Sequence, residues 1–214
     1  MNEADWMVAT NPTPMLTFLR GKLGDRKLRL LGVAIARASW DRIEDDRTRR
    51  AVLTAEAFAD GHVDASALEA VVNDAWDVRD ELWDAGPADH DDRVWLAEAA
   101  ALTASVYEWR NTFTGSGPFD GYPFRLPSPA HCDLIRDVFG NPFAPVVFDA
   151  SWRTEAVVGL ARGMYESRDF ATMPVLADAL EDAGCANADV LAHCRDGGPH
   201  VRGCWVVDLV LGKA

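Results

Sequence analysis

Three of the chain's four cysteines and two of its five histidines fall within AGCANADVLAHCRDGGPHVRGCW, Ala183 to Trp205. Thiols and imidazoles this dense suit a zinc-type ion, which takes three or four Cys, His or carboxylate donors at about 2.0–2.3 Å from one point. Cys185 drops out: if NADVLAHC is helical, its nine residues to Cys194 span roughly 13 Å at 1.5 Å per residue. His193 or Cys194 then closes one helix, RDGGP reverses the chain, and His200 and Cys204 lie four apart on one face of a last helix beginning near Pro199. Such a corner offers His193, Cys194, His200 and Cys204, with His131 or Cys132 as a further donor. It has no Cys-x-x-Cys pair and matches no standard zinc module.

Other readings compete. Free cysteine is commonly a small buried hydrophobe, and Cys204 within CWVVDLVL fits that; core packing is the preferred reading, with zinc as the alternative. A Cys–His nucleophile needs an exposed thiolate and an oxyanion site, and no nucleophile motif surrounds these residues. Acid pairs such as Asp178 and Asp182, or Asp74 and Asp77, come without a glycine-rich phosphate loop, so they read as solvated helix surface. No residue is assigned a catalytic role, and the sequence leans away from an enzyme.

The elements that position these residues are helical. TPMLTFLR predicts a helix with Thr13 as N-cap and Pro14 at its first position. Asp25 caps a second, whose LRLLGVAIARASW is apolar on most sides and runs through a core. A third, DDRTRRAVLTAEAFADG, closes at Gly61, and Ser66 with Glu69 forms a capping-box pattern before a fourth. DDRVWLAEAAALTASVYEWR is alanine-rich and suited to close helix contact. AHCDLIRDVFG, SWRTEAVVGLARGMYESRD, TMPVLADALEDAG, NADVLAHCRD and the tail PHVRGCWVVDLVLG complete an all-α fold, a compact multi-helix domain. NPFAPVVFD is extended without a visible strand partner. An N-terminal layer over 1–110 and a C-terminal layer over 130–214 are joined by 111–129, whose Gly, Pro and aromatics predict a long ordered loop that packs on the body.

At 214 residues the chain can bury a core without metal or disulfides. Its net charge of −13 is uneven: residues 1–50 carry 10 Lys+Arg against 7 Asp+Glu, leaving 11 against 27, or +3 and −16. That balance disfavours nucleic acid, and RGKLGDRKLR reads as a solvated face. Without a long apolar run or a signal-like start, the expectation is a cytoplasmic chain with reduced cysteines, away from membranes. Among eight tryptophans, Trp76 and Trp83 stand seven apart on one acidic helix face, candidates for anchoring a protein partner if they are not simply core.

NPTPMLTFLRGKLGDRKLRLLGVA, FADG, NPFAPVVFDASW, LADALEDAGC and HVRGCWVVDLVLGK together resemble a family of bacterial proteins abundant as paralogues in planctomycete-type genomes. PVLADALEDAG also resembles short repeats of the type LVYADWLEE in such proteins. The resemblance implies a portable module and supplies no activity, cofactor or catalytic residue. The expectation is therefore a helical module for protein interaction or regulation without its own catalysis, its partner open. The alternative is a zinc-type sensor or metal-dependent enzyme built on His193, Cys194, His200 and Cys204.

Overall fold

A computed structural model describes residues 1–22, 24–86, 92–105 and 129–213. Among them the α-helices are α1 (Glu3–Val8), α2 (Pro12–Leu19), α3 (Asp25–Ala38), α4 (Asp46–Ala59), α5 (Ala65–Asp84), α6 (Asp92–Ala104), α7 (Pro129–Phe139), α8 (Glu155–Ser167), α9 (Met173–Asp182), α10 (Ala188–Arg195) and α11 (Trp205–Leu211), with no strand. The fold class is all-α. The loop expected over 111–129 lies outside the described residues except for Pro129, which opens α7.

The chain divides into two compact units, Ala9–His131 and Met1–Val8 with Cys132–Ala214. Helix α1 belongs to the second of these units. Gly24, not Asp25, stands at the N-cap of α3, with no side-chain cap, and two further caps differ from their sequence assignments. Asn11, not Thr13, accepts from a backbone N–H at the start of α2, with Pro12 at the first position. Asp64 caps α5, accepting from Ser66 and Ala67 N–H and from the Ser66 hydroxyl. Carboxylate and carboxamide oxygens in each case outcompete the nearby hydroxyl.

In the N-terminal unit α3, α4, α5 and α6 pack around Val33, Ala51, Val52, Leu68, Val71, Ala100 and Ala104, all buried. The alanines of α6 leave short side chains between neighbours, as their density predicts. Arg29, only 3% exposed on α3, donates to the Thr103 and Ser105 carbonyls where α6 ends. Burial pulls its guanidinium down to about 10. Arg29→Met, which keeps the stem and removes the guanidinium's hydrogen bonds to those carbonyls, is expected to cost about 2–4 kcal/mol in urea denaturation.

The C-terminal unit centres on Val157, Ala161 and Met164 of α8, Leu176 and Leu180 of α9, Val190 and Cys194 of α10, and Val206, Val207 and Val210 of α11. Its N-terminal piece is tied to α7 by three contacts. The fully buried Trp6 donates its indole N–H to the Gly140 carbonyl at 3.1 Å. Arg136 donates to the Trp6 carbonyl at 2.9 and 3.1 Å, and Asn141 to Glu3 at 2.6 Å. Gly140, at φ +65°, ends α7 in the left-handed region, and a Cβ there would sit 3.1 Å from two indole carbons of Trp205. Arg153 fixes the other end of α11, donating to the Leu209 and Val210 carbonyls at 2.8 and 3.0 Å.

Candidate metal centre

Three segments of the C-terminal unit converge on one point. The last turn of α7 supplies Asp137, the last turn of α10 supplies His193, and the loop into α11 supplies His200 and Cys204. One donor atom from each lies within 4.8 Å of all the others. Asp137 Oδ1 is 2.9 Å from His200 Nδ1 and 3.2 Å from His193 Nε2, and the same His193 nitrogen is 3.2 Å from Cys204 Sγ. Ligands at 2.0–2.3 Å around a tetrahedral zinc stand about 3.3–3.8 Å apart, so small adjustments place all four on one ion.

The loop geometry differs from the sequence expectation. The last helix starts at Trp205, not near Pro199, so His200 and Cys204 do not share a helix face. The chain instead turns between them: Cys204 N–H donates to the Val201 carbonyl at 2.9 Å, and Gly203 takes φ +94°, a conformation open to glycine. Asp137 also organises this turn, its Oδ2 accepting the Val201 N–H at 2.9 Å. His193, His200 and Cys204 therefore come together through a turn held by a carboxylate.

Of the four residues named from sequence, His193, His200 and Cys204 meet, and Cys194 does not. Adjacent helical residues point about 100° apart; with His193 toward the centre, Cys194 faces the apolar core, fully buried beside Val190 and Leu191. Burial pushes its thiol up to about 12. Cys132 is fully buried in α7, its thiol raised chiefly by burial, and neither it nor His131 joins the group. The fourth donor is Asp137, absent from the sequence assignment. Its signal was an acid three residues after Leu134 and next to Val138, on the stripe of α7 that turns inward.

The electrostatics suit either a protonated His200 paired with Asp137 or an ion at the same place. Burial alone would raise the Asp137 carboxyl, but hydrogen bonds and charge from His193 and His200 hold it below the usual carboxylate range. Burial works to lower His200, and the facing Asp137 outweighs it and raises the imidazole. Both ring nitrogens of His200 face acceptors, Nδ1 the Asp137 carboxylate and Nε2 the Asp196 carbonyl at 3.3 Å. A neutral imidazole carries one N–H and satisfies only one of them, whereas the imidazolium that Asp137 favours satisfies both. With a metal on Nδ1, the remaining Nε2–H donates to the carbonyl, the usual outer partner of a ligating histidine.

Nucleophilic catalysis does not fit. The Cys204 thiol is fully buried and driven well above its usual value by that burial and by the Asp137 charge, against hydrogen bonds from the Val206 and Val207 amides. Asp137 and Cys204 approach the same nitrogen of His193, whereas a relay places acid and nucleophile on opposite ring nitrogens. Metal coordination removes the thiol proton outright, and four protein donors form a closed site of the structural type. The chain matches no known family model, no curated protein and no solved structure.

Proposed function

We propose that the C-terminal unit is a metal-stapled helical module in which Asp137, His193, His200 and Cys204 hold one zinc-type ion. The carrying observation is the meeting of four donor atoms within 4.8 Å from three chain segments. The ion would pin α7, α10 and the start of α11 together, a structural role that leaves the module to act through protein contacts without catalysis. All four cysteines are free and buried, which suits a reducing cytoplasm; no helix among the described residues is long and apolar enough to cross a membrane. Elemental analysis of protein purified without a histidine tag or added metal is expected to give about one zinc per chain, and none from Cys204→Ser. Metal-free wild type of undiminished stability overturns the reading.

A second reading concerns the N-terminal unit and rests on Trp83. It is 45% exposed on α5, its indole N–H finds no hydrogen-bond partner among the described residues, and Arg79 lies 5.3 Å over its ring. Asp80, Glu81 and Asp84 beside it are exposed. The two tryptophans separate here, because Trp76 is half-buried against the core. Trp76→Ala is expected to cost about 2–4 kcal/mol by lost packing, and Trp83→Ala about 0.5 kcal/mol or less. A basic protein partner would meet Trp83 as anchor within an acidic rim. Loss of its capture by Trp83→Ala, with an unchanged melting temperature, tests that reading, and retained capture sinks it.

A further inference from the structure

We propose that Trp205 is the positioning residue of the metal centre, seated on Gly140 and holding the His193 ring so that Nε2 meets the ion. This rests on the metal reading of Asp137, His193, His200 and Cys204.

His193 lies in the last turn of α10 and keeps 18% of its side chain exposed, against 7% for His200. His200 is fixed by partners at both ring nitrogens, Asp137 and the Asp196 carbonyl. The contacts of His193 Nε2 are to Asp137 and Cys204, the other members of the centre. Its ring is held by other rings: His200 edge-on at 4.9 Å, and Trp205 at 5.2 Å with planes 50° apart. A ligating histidine is ordinarily oriented by an outer partner, and here the indole takes that part by packing.

Trp205 is itself held. Its five-membered ring lies on the Gly140 backbone so closely that an added Cβ would stand 3.1 Å from Cγ and Cδ2 and 3.4 Å from Cδ1. Gly140 lies three residues beyond Asp137 on the same turn of chain, and its carbonyl accepts the Trp6 indole N–H. The seat of the indole and the carboxylate ligand therefore belong to one short piece of backbone. A side chain at Gly140 would move the indole, and with it the His193 ring, while every ligand stays chemically intact.

The experiment measures zinc affinity by competition with a chromophoric chelator, and records the visible spectrum of the cobalt(II) form, which reports coordination geometry. Trp205→Ala is expected to weaken zinc binding by about 10–100-fold and to alter the cobalt spectrum; Trp205→Phe should recover most of both. Gly140→Ala is expected to weaken binding by about tenfold in the wild-type background, and by less than about threefold once Trp205 is already Ala, because the two act in series. Affinities within about threefold of wild type for Trp205→Ala or Gly140→Ala, or equal losses for Gly140→Ala in both backgrounds, overturn the proposal. Should Trp205→Ala not fold, Gly140→Ala decides by the same limit: an affinity within about threefold of wild type together with an unchanged cobalt spectrum overturns the proposal. Wild type that binds neither ion overturns the metal reading itself, whereas wild type that binds while Cys204→Ser does not leaves that reading standing whatever Trp205 does.

Discussion

Stripping the purified protein with a strong chelator is expected to lower the unfolding temperature of the C-terminal unit by about 15–30 °C, and one equivalent of zinc should restore it. An ion that binds only the folded state adds about 4 kcal/mol when its free concentration is a thousand times the dissociation constant. A unit of this size shifts by about 4–8 °C per kcal/mol. The size of the effect separates two accounts of the same four side chains. If they form only a hydrogen-bonded knot between Asp137, His193, His200 and Cys204, chelation changes nothing, since mass action needs a ligand. Cys204→Ser gives the matching control: the variant should melt low already and show no chelator-dependent shift. A chelator-insensitive wild type would return the cysteines to the plain packing role that their burial also allows.

The helices were legible because their signals are local. Gly61, read as a stop, and Gly140, Gly184 and Gly212, which end stretches read as helical, all take positive φ, and α3, read as apolar on most sides, is buried from Leu28 to Ala36. Caps were misplaced by two residues where two acceptors stood close together, as with Asn11 and Thr13 or Asp64 and Ser66, since sequence does not rank rivals whose geometry is set by the turn before the helix. The last helix was drawn too long for a different reason. Pro199 is a good first-turn residue, but His200 and Val201 are drawn away by Asp137, which lies 63 and 64 positions earlier. That distance in sequence also explains why Asp137 was passed over while three of its partners were named. A histidine or thiol advertises its chemistry wherever it stands, whereas an aspartate in a helix is ordinarily solvated surface, and only the tertiary fold tells the buried one apart.

The pH dependence of stability is expected to reverse sign between the metal-free and the zinc-loaded protein. In the metal-free chain, Asp137 lies below the usual carboxylate range. Its contribution is present above the unfolded value of about 3.9 and is lost as pH falls through the depressed folded value. His200 is raised by the same carboxylate, so its contribution is full below the unfolded value of about 6.5 and is lost as pH climbs through the folded one. Without metal, stability should therefore be greatest between about pH 5 and 6.5 and decline toward pH 8. Zinc needs a neutral His200 and a deprotonated Cys204, so the unfolded chain holds more protons than the loaded native state, and stability at fixed free zinc should rise across about pH 6 to 8. Asp137→Asn removes the carboxylate that both slopes depend on: the variant should lose the decline in the metal-free form and most of the rise in the loaded one. Urea denaturation across pH 5.5 to 8, with chelator in one series and buffered zinc in the other, measures the two slopes. Parallel curves would mean that the four side chains share protons and no ion.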